Sequence, residues 1–146
     1  SEIHPLLRAQ TIPWLMAAER EDPELLLRTS VHLNFAEPWI KANQAFIESS
    51  VDRYAALDMP ALARLMEAFY QLDITDRLPE IQVPTLVIAG EEDLIKGPSY
   101  AKIIAAQIPG SELVFVPGSG HALCLEKPAE LNTLLLGFVQ KYANQN

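Results

Sequence analysis

A single cysteine, Cys124, stands among the 146 residues. That excludes an intrachain disulfide and any zinc site built from several thiolates. A lone thiol fits a reducing compartment, and a cytoplasmic location is the expectation. Basic residues are also few: 11 Lys and Arg stand against 19 Asp and Glu, a formal net charge of −8. Phosphate backbones are bound by clustered Lys and Arg, and here these residues are scattered, so no nucleic acid is expected as a partner. The same balance argues against an anionic membrane surface. Long apolar runs are missing too. The stretch at residues 134–139 falls far short of the roughly 20 residues a spanning helix needs. No basic region followed by an apolar run opens the sequence, so no signal peptide is expected.

What is present is an ordinary globular mixture, 49% apolar and 21% charged, in a length that suffices for one domain with a sizeable core. The grammar of the chain changes near residue 72. Up to that point only helical patterns occur. Ile3, Leu6, Leu7, Ile12, Trp14, Leu15 and Met16 predict a first helix interrupted near Pro13. Asp22-Pro23-Glu24 sets a capping residue before a proline and starts a second helix bearing Leu25, Leu26 and Val31. Residues 34–39 read as a break. A long helix is then expected to about Leu57, with Trp39, Ile40, Phe46, Ile47, Val51 and Tyr54 near one face, and Asp58-Met59-Pro60 starts another carrying Leu62, Leu65, Met66 and Phe69. Such stripes are read as core-forming faces.

Beyond residue 72 a strand–helix–strand–helix order appears. Residues 83–89 form a continuous apolar, β-branched run ended by Gly90, the pattern of a strand covered on both faces in a parallel sheet. Residues 98–108 predict a helix with Tyr100, Ile103, Ile104 and Ile108 inward, stopped at Pro109-Gly110. Residues 112–116 predict a second strand. Lys127-Pro128 opens a last helix bearing Leu131, Leu134, Leu135, Phe138, Val139 and Tyr142. The fold class is therefore α/β: a helical layer over residues 1–71 joined to a βαβα unit with parallel strands over residues 72–146.

In open parallel sheets function collects at the carboxyl ends of the strands. The first strand exits into Gly90-Glu91-Glu92-Asp93 and the second into Pro117-Gly118-Ser119-Gly120-His121. Adjacent parallel strands lie about 4.8 Å apart, so the two loops can bring Asp93 and His121 together. An Asp beside a His fixes the tautomer of the imidazole and stabilises its cation, leaving the other nitrogen as a general base. Either residue alone is more simply a turn former or a solvated side chain; their joint occurrence at successive strand exits is what raises the pair to candidate status.

Residues 78–93 resemble the strand and acid loop near the C-terminus of α/β-hydrolases, and residues 108–121 resemble the last strand and histidine loop of that family. Glu126-Lys127-Pro128 is similar to the entry to its final helix. The resemblance runs continuously over about residues 72–142, and residues 1–71 resemble, more loosely, the helical cap of the family with the helix that follows it. The resemblance implies that Asp93 is the triad acid rather than Glu91 or Glu92, that His121 is the base, and that the cap shapes a pocket for a small-molecule substrate. No cofactor and no metal are expected.

One part of the family pattern has no counterpart. No serine stands in a Gly-x-Ser-x-Gly nucleophile elbow. Gly118-Ser119-Gly120 lacks the glycine two positions before the serine, and Ser119 sits too close to His121 in a turn for proton transfer. Cys124, between Leu123 and Leu125, reads as a buried and inert thiol. Glu126 reads as a helix N-terminus residue, and His4 and His32 lie away from ligand-type clusters. The expectation is a C-terminal portion of a hydrolase for an ester, lactone or similar substrate, inactive without a nucleophile supplied from elsewhere. The alternatives are a non-catalytic interaction module derived from the fold and a self-sufficient hydrolase using Cys124 or Ser119. A strand at residues 83–89 without its neighbour exposes an unpaired edge, so self-association or binding of a complementary N-terminal fragment is expected.

Overall fold

A computed structural model describes residues 5–143; the sequence readings made for Ile3 and His4 lie outside them. Six helices come first: α1 Pro5–Glu19, α2 Pro23–Asn34, α3 Glu37–Ala42, α4 Gln44–Glu48, α5 Val51–Ala55 and α6 Met59–Gln71. A 3-10 turn, Thr75–Glu80, leads into β1 Leu86–Gly90, α7 Pro98–Gln107, β2 Glu112–Val116, α8 Leu123–Glu126 and α9 Pro128–Ala143.

The helix starts follow side-chain chemistry. Asp22 accepts from the Leu25 N–H at 2.9 Å ahead of Pro23, and Asp58 accepts from the Ala61 N–H at 2.8 Å ahead of Pro60. Each carboxylate thereby satisfies one of the orphan donors of a first turn. Two expectations fail in this half. Pro13 does not interrupt α1, which runs through it; the helix forgoes one backbone bond there and is held by its packing instead. The long helix expected to Leu57 is broken at Asn43 and again at Ser49–Ser50 into α3, α4 and α5. Asn43, Ser49 and Ser50 turn their side chains onto the carbonyls of Trp39 and Phe46, which is how such residues compete with a helical ladder. The break after α2 also narrows to Phe35 and Ala36, since Glu37-Pro38-Trp39 already belongs to α3.

Ala17, Ala18, Leu26 and Met59 form one buried cluster within the helical half. A second cluster joins the halves: Leu7 and Leu33 pack with Ile95, from the loop after β1, and Phe69 and Tyr100 lie against it. The stripes are not wholly covered, for Leu65 stays 65% exposed.

β1 and β2 pair in parallel, Leu86 opposite Glu112 through to Gly90 opposite Val116, with α7 as the crossover. This is the parallel pair the sequence predicts, with Leu86 as its first paired residue and the Thr85 carbonyl accepting from the Glu112 N–H at 2.9 Å. β1 is half-buried over Leu86–Ala89 rather than covered on both faces, and β2 is its one paired neighbour among the described residues. Ile103 and Ile104 of α7, expected inward, are exposed, and Leu136 and Val139 of α9 are more open still. No described element covers those faces. Among the described residues no helix is long and apolar enough to cross a membrane.

Candidate active site

The loops leaving β1 and β2 are joined backbone to backbone. Glu91 N–H donates to the Val116 carbonyl at 3.1 Å and Glu92 N–H to the Ser119 carbonyl at 2.9 Å. Gly90 is the residue that permits this approach: a Cβ there would lie 2.3 Å from both the Ser119 and Gly120 carbonyl oxygens. In the second loop Gly118 turns the chain with φ +63°, in the left-handed region that favours glycine. Ser119 is fully buried and its hydroxyl donates to the Val116 carbonyl at 2.8 Å. Its Oγ is thus committed inward to holding the turn.

This scaffold sets Asp93 against His121. Asp93 Oδ1 accepts from the N–H groups of Ile95 and Lys96, each at 2.8 Å, and Oδ2 lies 2.9 Å from His121 Nδ1. A carboxylate is an acceptor only, so Nδ1 carries the hydrogen and Nε2 is left with its lone pair. The Asp93 side chain is 6% exposed and that of His121 40% exposed, a buried orienting group behind an accessible ring. Burial pushes the Asp93 carboxyl up, but the His121 hydrogen bond, the two backbone N–H groups and the attraction of the imidazole outweigh it and hold the group below the ordinary carboxylate value. Glu91 and Glu92, the other acids of the loop, are exposed and neither is the partner of His121.

The pair sits at a cleft of about 330 Å³ whose apolar lining includes Val87, Ile88, Ile104 and Leu123. Lys96 also borders it, its ammonium 4.9 Å from the ring centroids of both Phe69 and Tyr100; burial pushes that ammonium's pKa down against the pull of Asp93. A roomier cleft of about 430 Å³ between β2 and α9 holds neither Asp93 nor His121. Asp93 and His121 both line the smaller one.

The remaining candidate residues fall elsewhere. Cys124 is exposed, not buried as expected, because the four-residue α8 turns Leu123 inward and leaves Cys124 and Leu125 outside. His32 is exposed on α2. Among the described residues no three His, Cys, Asp or Glu side chains converge as metal ligands. Glu126 differs most from its reading. Its carboxylate does not cap the final helix that follows it but accepts from the Gly120 N–H and from the N–H of Ala36, the N-cap of α3, both at 2.9 Å. Ala36 is 90 positions away in the chain, so no local pattern announces that contact.

The sequence model of the alpha/beta hydrolase family matches residues 3–134. A RutD protein of Azorhizobium caulinodans, provisionally named a carbamate hydrolase, is 31% identical over 120 residues, covering 80% of this chain and 44% of its own. Among solved structures, an alpha/beta hydrolase enzyme from a Medee basin deep-sea metagenome library superposes with a TM-score of 0.87 at 24% identity, covering 95% of this chain and 52% of its own. A thermophilic esterase of Thermogutta terrifontis gives 0.77 at 25% identity, covering 96% and 52%. The chain thus spans about half the length of each of these three proteins. With a family match over most of its residues and the same fold in space, this chain belongs to the alpha/beta hydrolase family.

Proposed function

We propose that the chain supplies the acid and the base of a hydrolase acting on a small ester, carbamate or lactone, with Asp93 orienting His121 and a nucleophile contributed by a complementary segment. The observation that carries this reading is the 2.9 Å contact between Asp93 Oδ2 and His121 Nδ1 at the mouth of an apolar cleft. In that arrangement Nε2 takes the proton of the attacking hydroxyl, and the imidazolium that forms is stabilised by the buried carboxylate. The same proton then passes to the departing alkoxide or amine. Esters and carbamates, named for the relatives above, share an acyl carbon bearing a heteroatom leaving group, so one acid–base pair serves both.

Ser119 does not fit as the nucleophile, since its hydroxyl is buried and bound to Val116. Cys124 is accessible, but the side chain that meets the imidazole is Asp93 and not this thiol. The nucleophile therefore comes from a strand-to-helix turn on another segment, seated beside β1, where the exposed edge and the cleft meet.

Two measurements test the reading. The chain alone, incubated with an activated ester such as p-nitrophenyl acetate, should match buffer; a rate that vanishes in His121→Ala would show a nucleophile within these residues. Extending the chain upstream in its own reading frame should add an elbow and confer hydrolysis, which His121→Ala should then lower by about 10²–10⁴-fold. An extended protein with no elbow and no activity would favour the interaction module instead.

A further inference from the structure

Asp93 fixes which nitrogen of His121 carries the hydrogen, but it does not by itself fix where the ring stands. That depends on the backbone around residue 121, which is tied to the helical half both directly and through Glu126 of α8. On one side of His121, the Gly120 N–H donates to Glu126 Oε1 at 2.9 Å, while Glu126 Oε2 accepts from the Ala36 N–H at the same distance. On the other side, the Ala122 N–H donates to the Asn34 carbonyl at 2.8 Å. The two backbones touch directly: a Cβ on Gly120 would lie 2.9 Å from Ala36 N, 3.0 Å from the Phe35 carbonyl carbon and 3.1 Å from Asn34 O. Both neighbours of the histidine are thus fastened to the turn between α2 and α3.

We infer that Glu126 is a positioning residue, a carboxylate clamp that makes the placement of His121 depend on the α2–α3 turn. The inference rests on His121 being the base of the proposed reaction. A carboxylate suits the task because it presents two acceptor oxygens and no donor, one for each facing N–H. A glutamine offers one acceptor and turns an NH2 toward the second N–H. An aspartate keeps the charge but withdraws it by one carbon–carbon bond, too short to reach both amides. Displacements of about 1 Å in a catalytic group cost on the order of 10²-fold in rate, so a clamp of this kind bears on chemistry and not on folding alone.

The experiment is solution NMR on the 15N-labelled chain, comparing wild type with Glu126→Gln and Glu126→Asp. It follows exchange of the Gly120 and Ala36 amides and of the His121 Nδ1 proton, with the β1–β2 ladder amides reporting that the fold is intact. The expected result is exchange faster by about tenfold or more at Gly120, Ala36 and His121 Nδ1, the scale of one lost charge-assisted hydrogen bond, with ladder amides unchanged. Faster amides with an unaltered His121 Nδ1 proton would overturn the inference, as would no change at any of the three. A wild-type chain whose Nδ1 proton is unprotected would instead bring down the Asp93–His121 pairing beneath it. Should both variants fail to fold, wild-type exchange under rising sub-denaturing urea decides the matter. Ala36, Gly120 and His121 Nδ1 opening as one unit supports the clamp, and independent opening refutes it.

Discussion

Asp93 serves three donors with two oxygens, and substitutions separate their contributions. In Asp93→Ala the N–H groups of Ile95 and Lys96 lose their acceptor in a buried turn, each at a cost of about 1–3 kcal/mol. Chemical denaturation should register a loss of about 3 kcal/mol. Asp93→Asn keeps an acceptor for both amides but turns an NH2 toward His121, and the imidazole responds by moving its hydrogen to Nε2. Stability should then fall by only about 1–2 kcal/mol, while the proposed hydrolysis, measured on a protein that includes the nucleophile, should fall about 10⁴-fold, the scale of a wrong-tautomer base. The depressed Asp93 pKa also sets a pH dependence. Its contribution to stability is fully present above the ordinary carboxylate value of about 3.9 and is lost as pH falls through the lower folded-state value. Denaturation midpoints measured from pH 6 downward should lose that component in Asp93→Asn; parallel curves for the two proteins would show the carboxylate is not stabilised by the fold.

The elements that carry the site are two short parallel strands and the glycines at their exits. Gly90→Ala drives a methyl into the Ser119 and Gly120 carbonyls, backbone atoms that cannot swing aside. A loss of about 3 kcal/mol or more is expected, with the His121 resonances displaced in an NMR spectrum. Gly118→Ala meets no neighbour within 4 Å but keeps a left-handed φ, so it should cost about 1–2 kcal/mol by backbone strain alone. This is the scale at which the sequence was most legible. The strand at residues 112–116, the caps at Asp22 and Asp58 and the final helix at Pro128 all rest on local chemistry, and all appear where local chemistry puts them. So does the meeting of Asp93 with His121, because it follows from strand order alone. What local chemistry does not encode is the partner of Glu126, a contact between segments distant in sequence. The splitting of α3, α4 and α5 escapes the pattern for a different reason: an apolar periodicity survives short breaks made by Asn and Ser. The exposure of Ile103, Ile104 and Cys124 depends on what lies outside an element, and no period reports that.

At the scale of the whole chain the apolar surface is unevenly distributed. Leu72, Ile74, Val83 and Leu94 are each more than half exposed, as are Leu136 and Val139 on α9, and β1 pairs on one side only among the described residues. Such edges and patches recruit partners. Size-exclusion chromatography with light scattering at micromolar concentration should show association of the chain with itself, relieved by adding a segment that supplies the strand beside β1. A monodisperse monomer would contradict the expectation. Ile95 adds a constraint of another kind. Two residues past the acid, it is 5% exposed and plugged between Leu7 and Leu33 of the helical half. The carboxylate's loop therefore has a socket in the helices that open the chain. Recombination that exchanges the helices of two homologues, in nature or in a directed shuffle, has to carry a matching socket for this isoleucine or loosen the loop that bears the carboxylate, so inheritance of the two halves is coupled there.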